Sequence, residues 1–112
     1  MTSEDGEKLT GKVALVTGGS RGIGKAVASA YARRGARVFI CARGASDLAR
    51  TVNEIRNDGG DIDGLAGVVG KPEDVRRIVG AAVERYGTVH VLVNNASLLG
   101  PRVTIASYPV SD

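Results

Sequence analysis

Lys12–Gly24 is the stretch that decides the fold, and it reads KVALVTGGSRGIG. Residues 12–17 form a short apolar run rich in β-branched side chains, which predicts a buried strand. Glycines end the run, and Gly35 later stands where a helix C-terminal cap is expected. Between them, apolar residues at helical spacing predict the inner face of a first helix: Ile23, Ala26, Val27, Ala30 and Tyr31.

Three more strands follow at regular intervals. Apolar runs predict a second strand at Arg37–Ala42, a weaker third strand at Ile62–Val69 and a fourth at Val89–Asn94. A loop bearing Gly and Pro then leads toward Tyr108. Nearly continuous apolar strands, each followed by a helix, indicate an α/β fold whose parallel sheet is covered on both faces. The crossovers between such strands are right-handed.

The second and third helices are predicted from their own apolar faces. Leu48, Val52 and Ile55 mark the inner face of the second helix, which residues 57–60 terminate. Pro72 opens the third helix, at a position where its missing N–H is not needed. The predicted face of the third helix comprises Val75, Ile78, Val79, Ala82, Val83 and Tyr86.

Length and composition indicate one globular domain. The 112 residues include 43% hydrophobic and 24% charged side chains, which is ordinary for such a domain. Residues 1–10 form a polar lead-in, so the predicted domain spans residues 11–112. The net charge of +3 comes from scattered Lys and Arg and weakly favours an anionic ligand. Aromatic residues make up only 4%, which argues against nucleic acid.

The single cysteine and the polar residues 1–10 indicate the cellular compartment of the protein. Cys41 has apolar neighbours and cannot form an internal disulfide, which favours a small buried residue in a reducing compartment. The first ten residues are polar, unlike a signal peptide, and no apolar run approaches the ~20 residues that a membrane span requires. We therefore expect a cytoplasmic protein without a membrane partner. No metal-binding set is predicted.

The glycine-rich turn at residues 17–24 predicts a phosphate site. Gly18 permits a tight turn, Gly22 leaves the backbone open to a pyrophosphate, and Gly24 lets the helix pack closely on the sheet. The free N–H groups and dipole of the first helical turn would face the phosphates. A plain structural turn is the alternative, but the strand before it and the helix after it favour a dinucleotide site.

Two motifs together resemble the short-chain dehydrogenase/reductase family. The first is the spacing T-G-x-x-x-G-x-G at residues 17–24, and the second is Val93–Ser97, VNNAS, which is similar to the N-N-A-G of that family. Residues 38–43 and 84–87 look like ketoreductases of the polyketide and 3-oxoacyl-carrier-protein reductase type. The resemblance extends from about Leu9 to the end of the chain.

The resemblance implies the N-terminal half of a Rossmann-type doubly wound fold, with strand order 3-2-1-4. Asn94 would brace the sheet and line the cofactor, and Ala96 would border the ribose. Ser20, Ile23 and Val69 join the three motif glycines among the expected cofactor contacts. An alternative for Asn94 and Asn95 is a strand-end turn whose amide side chains cap loose backbone groups.

The choice of nicotinamide cofactor depends on the end of the second strand. An acidic residue there would bond the ribose 2′-hydroxyl of NAD, but this chain has Ala42 followed by Arg43. Arg21 lies in the glycine turn, and two guanidinium groups suit a 2′-phosphate. We therefore predict NADP(H) over NAD(H). The alternative is that both arginines are solvated surface residues.

Several positions depart from the family pattern. Val68 stands where the family usually has an Asp that bonds adenine, so one polar contact is lost, worth about 1 kcal/mol. Ser97 replaces the Gly of N-N-A-G. His90 stands where Asp is frequent, and a lone His in an apolar strand is expected to be structural rather than catalytic.

No catalytic residue is predicted. The family reaction uses a Tyr followed four residues later by Lys, but Tyr31, Tyr86 and Tyr108 are followed by Gly, His and Asp. We expect the cofactor-binding half of an NADP(H)-dependent oxidoreductase, truncated and inactive as this chain alone. The alternatives are a non-catalytic dinucleotide-binding module and a fragment that self-associates, as a homo-oligomer, through an unpaired fourth strand.

Overall fold

The structure is a computed structural model that describes residues 8–67 and 70–95 and the backbone of residues 102–105. Its elements in chain order are β1 Val13–Thr17, α1 Gly22–Arg33, β2 Arg37–Ala42, α2 Ala45–Asn57, β3 Asp61–Ala66, α3 Pro72–Tyr86, β4 Val91–Asn94 and β5 Arg102–Ile105. The predicted alternation of four strands and three helices is therefore confirmed.

The strands form one sheet in the order β3-β2-β1-β4-β5. The first four strands are parallel, with Leu15 of β1 opposite Phe39 of β2 on one side and Leu92 of β4 on the other. This arrangement confirms the order 3-2-1-4 and the Rossmann-type class. It also places the carboxyl ends of β1, β2 and β4 at one edge of the sheet.

The prediction that β4 has an unpaired edge is wrong. Backbone residues 102–105 form β5, which pairs antiparallel with β4 so that Val91 lies opposite Ile105. The stretch RVTI is short but rich in β-branched residues, which suit a strand. Its pairing supplies hydrogen-bond partners to backbone groups of β4 that would otherwise form an open edge.

Two strand boundaries differ from the prediction. β3 ends at Ala66, three residues before the expected end at Val69, which lies outside the described residues. β4 begins at Val91 rather than Val89. Val89 is nevertheless fully buried, and the N–H of His90 donates to the carbonyl of Val13 at 2.8 Å. Burial of an apolar side chain therefore extends two residues beyond the regular ladder.

The predicted inner face of α1 is confirmed only in part. The buried residues of this helix are Gly24, Ala28 and Ala32, whereas Ile23 is 60% exposed and Ala26 is exposed. Val27 and Tyr31 are partly buried and pack against the core, as predicted. Small residues four apart let the helix axis approach the sheet closely, so the contact face is not the one with the largest apolar side chains.

The core consists of two layers, one on each face of the sheet. α1 and α2 cover one face, where Leu48, Val52 and Ile55 are buried as predicted. α3 covers the other face with Ile78, Ala82 and Tyr86, while Val75 at its start is exposed. Among the described helices none is long and apolar enough to cross a membrane.

Candidate functional site

A cleft of about 510 Å³ opens at the carboxyl ends of β1 and β2. Open α/β sheets bind ligands at this edge, next to the strand where the winding direction reverses. The turn after β1, the end of β2, the start of α2 and the segment after β3 supply its walls. The described residues that line it are Gly18, Ser20, Arg21, Cys41, Ala42, Arg43, Gly44, Asp47, Gly67 and Gly70.

The glycine turn has the backbone geometry that its sequence predicts. Gly18 and Gly22 adopt positive φ angles of 65° and 53°, a region that L side chains rarely occupy. A Cβ added to Gly22 would meet no atom within 4 Å. The backbone at Gly22 is therefore open to a ligand, and glycine is required there by conformation rather than by crowding.

Gly24 and Gly19 are glycines because neighbouring atoms lie too close for a side chain. A Cβ at Gly24 would overlap the carbonyl oxygen of Gly18 and lie 2.7 Å from Nδ2 of Asn95. The tight contact predicted for Gly24 is thus with the turn itself. A Cβ at Gly19 would lie 2.6 Å from the side chain of Ile40, a packing requirement that the motif spacing did not reveal.

The N-terminus of α1 presents free donors beside the cleft. Its N-cap, Arg21, makes no side-chain cap, and no acidic residue lies in the first turn. The first helical bond runs from the N–H of Lys25 to the carbonyl of Arg21. The described residues provide no acceptor for the N–H groups of residues 22–24. This end of the helix can therefore bind an anion.

The two sequence motifs are joined by hydrogen bonds through Thr17. The N–H of Asn95 donates to the Thr17 hydroxyl at 2.9 Å, and that hydroxyl lies 3.1 Å from Oδ1 of Asn94. Nδ2 of Asn95 lies 3.4 Å from the carbonyl oxygen of Gly18. The side chain of Asn94 borders a smaller groove against α3, not the main cleft. Its contact with Thr17 is that of a brace between β1 and β4.

α2 holds the other side of the turn. The hydroxyl of Thr51, which is almost fully buried, donates to the carbonyl of Ser20 at 3.3 Å. On the sheet side, the N–H groups of Gly18 and Gly19 donate to the carbonyl of Cys41 at 2.9 and 3.2 Å. Cys41 is buried as predicted, and burial raises the pKa of its thiol.

The cleft holds the two predicted arginines and an acidic residue that was not predicted. Nε and Nη2 of Arg21 donate to Oδ2 of Asp47 at 3.0 and 2.6 Å, and Arg50 bonds the other oxygen of Asp47. These hydrogen bonds, the one from Arg21 above all, lower the pKa of Asp47. In the part of the chain that the structure describes, Arg43 makes no ion pair or hydrogen bond. The one feature of the sequence that could have pointed to Asp47 is its position as an acidic residue in the first turn of α2.

The remaining predicted residues lie apart from the cleft or beyond the described ranges. Ile23 is at the start of α1 with its side chain exposed. Val68, Val69, Ala96, Ser97 and Tyr108 lie outside the described residues.

The side chains of His90 and Tyr86 both form structural hydrogen bonds away from the cleft. Nδ1 of His90 accepts a hydrogen bond from the N–H of Val13 at 3.0 Å, as expected of a structural histidine. The hydroxyl of Tyr86 donates to Asp61 at 2.8 Å, at the start of β3, so it lies at the opposite edge of the sheet from the cleft. Residues 8–67 and 70–95 contain no group of three side chains suited to a metal.

Comparison with known proteins agrees with this geometry. Residues 12–111 match the family model for short chain dehydrogenase. The granaticin polyketide synthase putative ketoacyl reductase 1 of Streptomyces violaceoruber is 52% identical over 92 residues, which cover 82% of this chain and 34% of that protein.

Two solved structures have the same fold. A crystal structure of an actinorhodin polyketide ketoreductase variant with NADPH superposes with a TM-score of 0.74 at 43% identity, over 85% of this chain and 34% of that one. The RhlG/NADP active-site complex of Pseudomonas aeruginosa gives a TM-score of 0.76 at 39% identity, over 83% and 37%. The chain thus spans little more than a third of these relatives, and it belongs to the short-chain dehydrogenase family.

Proposed function

We propose that this chain is the cofactor-binding part of an NADP(H)-dependent oxidoreductase that interconverts carbonyls and alcohols. The observation that carries the proposal is the pairing of an uncapped helix N-terminus with two arginines on one cleft. Membership of the family supports the reaction class, and the NADPH and NADP of two similar structures support the cofactor.

The glycine turn fits the pyrophosphate of a dinucleotide. The N–H groups at Gly22, Ile23 and Gly24 would donate to its oxygens, and the positive end of the α1 dipole would favour its charge. Gly18 and Ser20 would shape the wall of the same cradle. Val69 and Ala96, together with Asn94, remain predicted contacts of the cofactor.

The arginines fit a 2′-phosphate on the adenosine ribose. Ala42 ends β2 where a carboxylate would favour NAD, and Arg43 follows it with no partner of its own in the described structure. Arg21 approaches the cleft from the glycine turn. Paired N–H groups of a guanidinium bind phosphate oxygens strongly, so NADP(H) is favoured over NAD(H).

We further propose that this chain by itself does not reduce carbonyls. A bound nicotinamide would supply the hydride, but a general acid is also needed at the substrate oxygen. None of the three tyrosines is followed by Lys four residues later. Tyr86 donates its proton to a hydrogen bond with Asp61, away from the cleft. This chain would therefore hold the cofactor without a residue to transfer the proton.

The proposed function is tested by titrating the chain with NADPH and NADH and following cofactor fluorescence. We expect NADPH to bind more tightly, and Arg43→Leu to weaken NADPH about 10-fold or more while leaving NADH unchanged. Arg76→Leu on α3 removes the same charge from an exposed position away from the cleft and is the matched control. Equal affinity for NADH and NADPH in the unmodified chain would contradict the choice of cofactor.

The proposed lack of reductase activity and the state of assembly need separate measurements. Measurable NADPH-dependent carbonyl reduction would contradict the proposed lack of activity. A cytoplasmic location and a homo-oligomeric state are predictions that cell fractionation and sedimentation would check. Self-association through β4 required an unpaired edge of that strand, and β5 occupies that edge.

A further inference from the structure

We infer that Asp47 competes with the cofactor's 2′-phosphate for Arg21 and thereby limits the preference of this site for NADP(H) over NAD(H). The inference rests on the proposed function, because it concerns the same cleft. It assigns a specificity role to a residue that neither the glycine motif nor the arginines indicate.

The contacts of Asp47 occupy the groups that would bind a phosphate. Nε and Nη2 of Arg21 are adjacent donors, and both bond one carboxylate oxygen at 3.0 and 2.6 Å. Such adjacent donors are what a guanidinium uses to hold two oxygens of a phosphate. The side chain of Arg21 is 83% exposed. Its contact with Asp47 therefore restrains a guanidinium that is mostly surrounded by solvent.

The position of Asp47 makes it a durable competitor. Its side chain is only 21% exposed, and it lies in the first turn of α2, where the helix dipole favours a carboxylate. Its second oxygen is bonded by Arg50. Asp47 therefore remains charged and in place, and a phosphate must displace it from Arg21 or bind beside it.

The charge of Asp47 also opposes the phosphate directly. It is the sole acidic side chain among the described residues that line the cleft, whereas Arg21 and Arg43 are the cations. A carboxylate on the same wall repels a phosphate dianion and neutralises one of the two arginines. NADH lacks the 2′-phosphate, so neither effect should reach it.

The substitution Asp47→Asn separates competition from positioning. Asparagine keeps the shape and an oxygen that can accept from Arg21 or Arg50, but it removes the negative charge. If Asp47 competes, the variant binds NADPH more tightly. If Asp47 instead positions Arg21 for the phosphate, the same variant binds NADPH less tightly, so the sign of the change decides.

The matched control is Glu54→Gln. Glu54 pairs with Lys25 at 2.6 Å, and Lys25 lowers its pKa as Arg21 lowers that of Asp47. Glu54 lies outside the cleft lining. The control therefore removes a paired carboxylate charge from the same helix, at a position outside the cleft lining.

The experiment measures dissociation constants for NADPH and NADH by calorimetry in the unmodified chain, Asp47→Asn, Asp47→Ala and Glu54→Gln. We expect Asp47→Asn and Asp47→Ala to bind NADPH about fivefold more tightly, with NADH and the Glu54→Gln control unchanged. An Arg21→Leu background should abolish most of the gain.

Unchanged or weaker NADPH binding in both Asp47 variants would overturn the inference, as would an equal gain for NADH. If the unmodified chain binds NADPH in preference to NADH, those results leave the proposed function intact. Failure of the unmodified chain to bind either nucleotide would instead reject the proposed function, and the inference with it.

Discussion

The hydroxyl of Thr17 accepts a hydrogen bond from the N–H of Asn95 at 2.9 Å and so joins the end of β1 to the end of β4. The same hydroxyl lies 3.1 Å from Oδ1 of Asn94. The two motifs, 76 to 78 residues apart in sequence, thus meet at one atom. Because Thr17 is buried, water cannot easily replace these bonds.

Replacing Thr17 by Val is expected to lower the free energy of unfolding by about 1–3 kcal/mol. Valine keeps the shape but leaves the N–H of Asn95 without its acceptor. Thr17→Ser keeps the hydroxyl and is the matched control, with a smaller loss. Urea unfolding followed by circular dichroism measures both, and equal stability of Thr17→Val and the unmodified chain would contradict the role of this bond.

Replacing Gly24 by Ala is expected to destabilise the chain by about 1–3 kcal/mol and to weaken NADPH binding. The new methyl group would overlap the carbonyl oxygen of Gly18, which belongs to the backbone of the turn. The turn must shift to relieve the overlap, and the donors of α1 shift with it.

The matched control is Gly80→Ala, in the middle of α3. An added Cβ there meets no atom within 4 Å, so the better helix propensity of alanine should stabilise the chain by about 0.5–1 kcal/mol. Thermal unfolding and NADPH titration compare the two variants. Similar effects at both positions would show that the contact between Gly24 and Gly18 is unimportant.

Replacing Tyr86 by Phe is expected to lower stability at neutral pH by about 1–2 kcal/mol, because the hydroxyl donates to the carboxylate of Asp61 at 2.8 Å. Burial first, and this hydrogen bond second, raise the pKa of Tyr86 above its ordinary value of 10.0. A raised pKa means that the stabilisation is complete below 10.0 and is lost as the pH rises through the folded-state value.

Urea unfolding at neutral pH and at successive values above 10.0 tests this dependence. The difference in stability between the unmodified chain and Tyr86→Phe should shrink as the pH rises. A difference that stays constant throughout would contradict the raised pKa of Tyr86.

Replacing His90 by Ala is expected to lower stability by about 1 kcal/mol without changing NADPH affinity. Nδ1 of His90 accepts from the N–H of Val13 at 3.0 Å, and alanine leaves that donor unpaired at the start of β1. His90→Asn places an amide oxygen at a similar reach and should recover part of the loss. A large fall in NADPH affinity with stability unchanged would argue against a structural role.

Prediction from the sequence succeeded where local periodicity decides the outcome. The faces of α2 and α3 are found from large apolar residues such as Leu48 and Ile78, because these residues must leave water wherever the helix docks. The face of α1 was predicted only in part, because its most buried positions carry small side chains or none. Gly24 and Ala28 allow the helix to approach the sheet closely. The spacing of large apolar residues in the sequence does not predict that distance.

Two other features depend on contacts between distant parts of the chain. β5 is a strand because it pairs with β4 in antiparallel register. A segment of four residues is too short for its strand propensity alone to predict that pairing. The bond between Arg21 and Asp47 joins residues 26 apart. Its formation depends on how the glycine turn and the start of α2 meet, which no spacing rule describes.

The sequence by itself determined the alternation of strands and helices and the place of the glycine turn, because burial of apolar runs and the backbone freedom of Gly18 and Gly22 are local properties. The strand order 3-2-1-4 followed from the resemblance to a known family, and the sheet confirms it. Only the tertiary structure decided which face of α1 is buried, what covers β4 and which acid holds Arg21. Those outcomes depend on the distance and direction between elements, and such geometry exists only once the chain has folded.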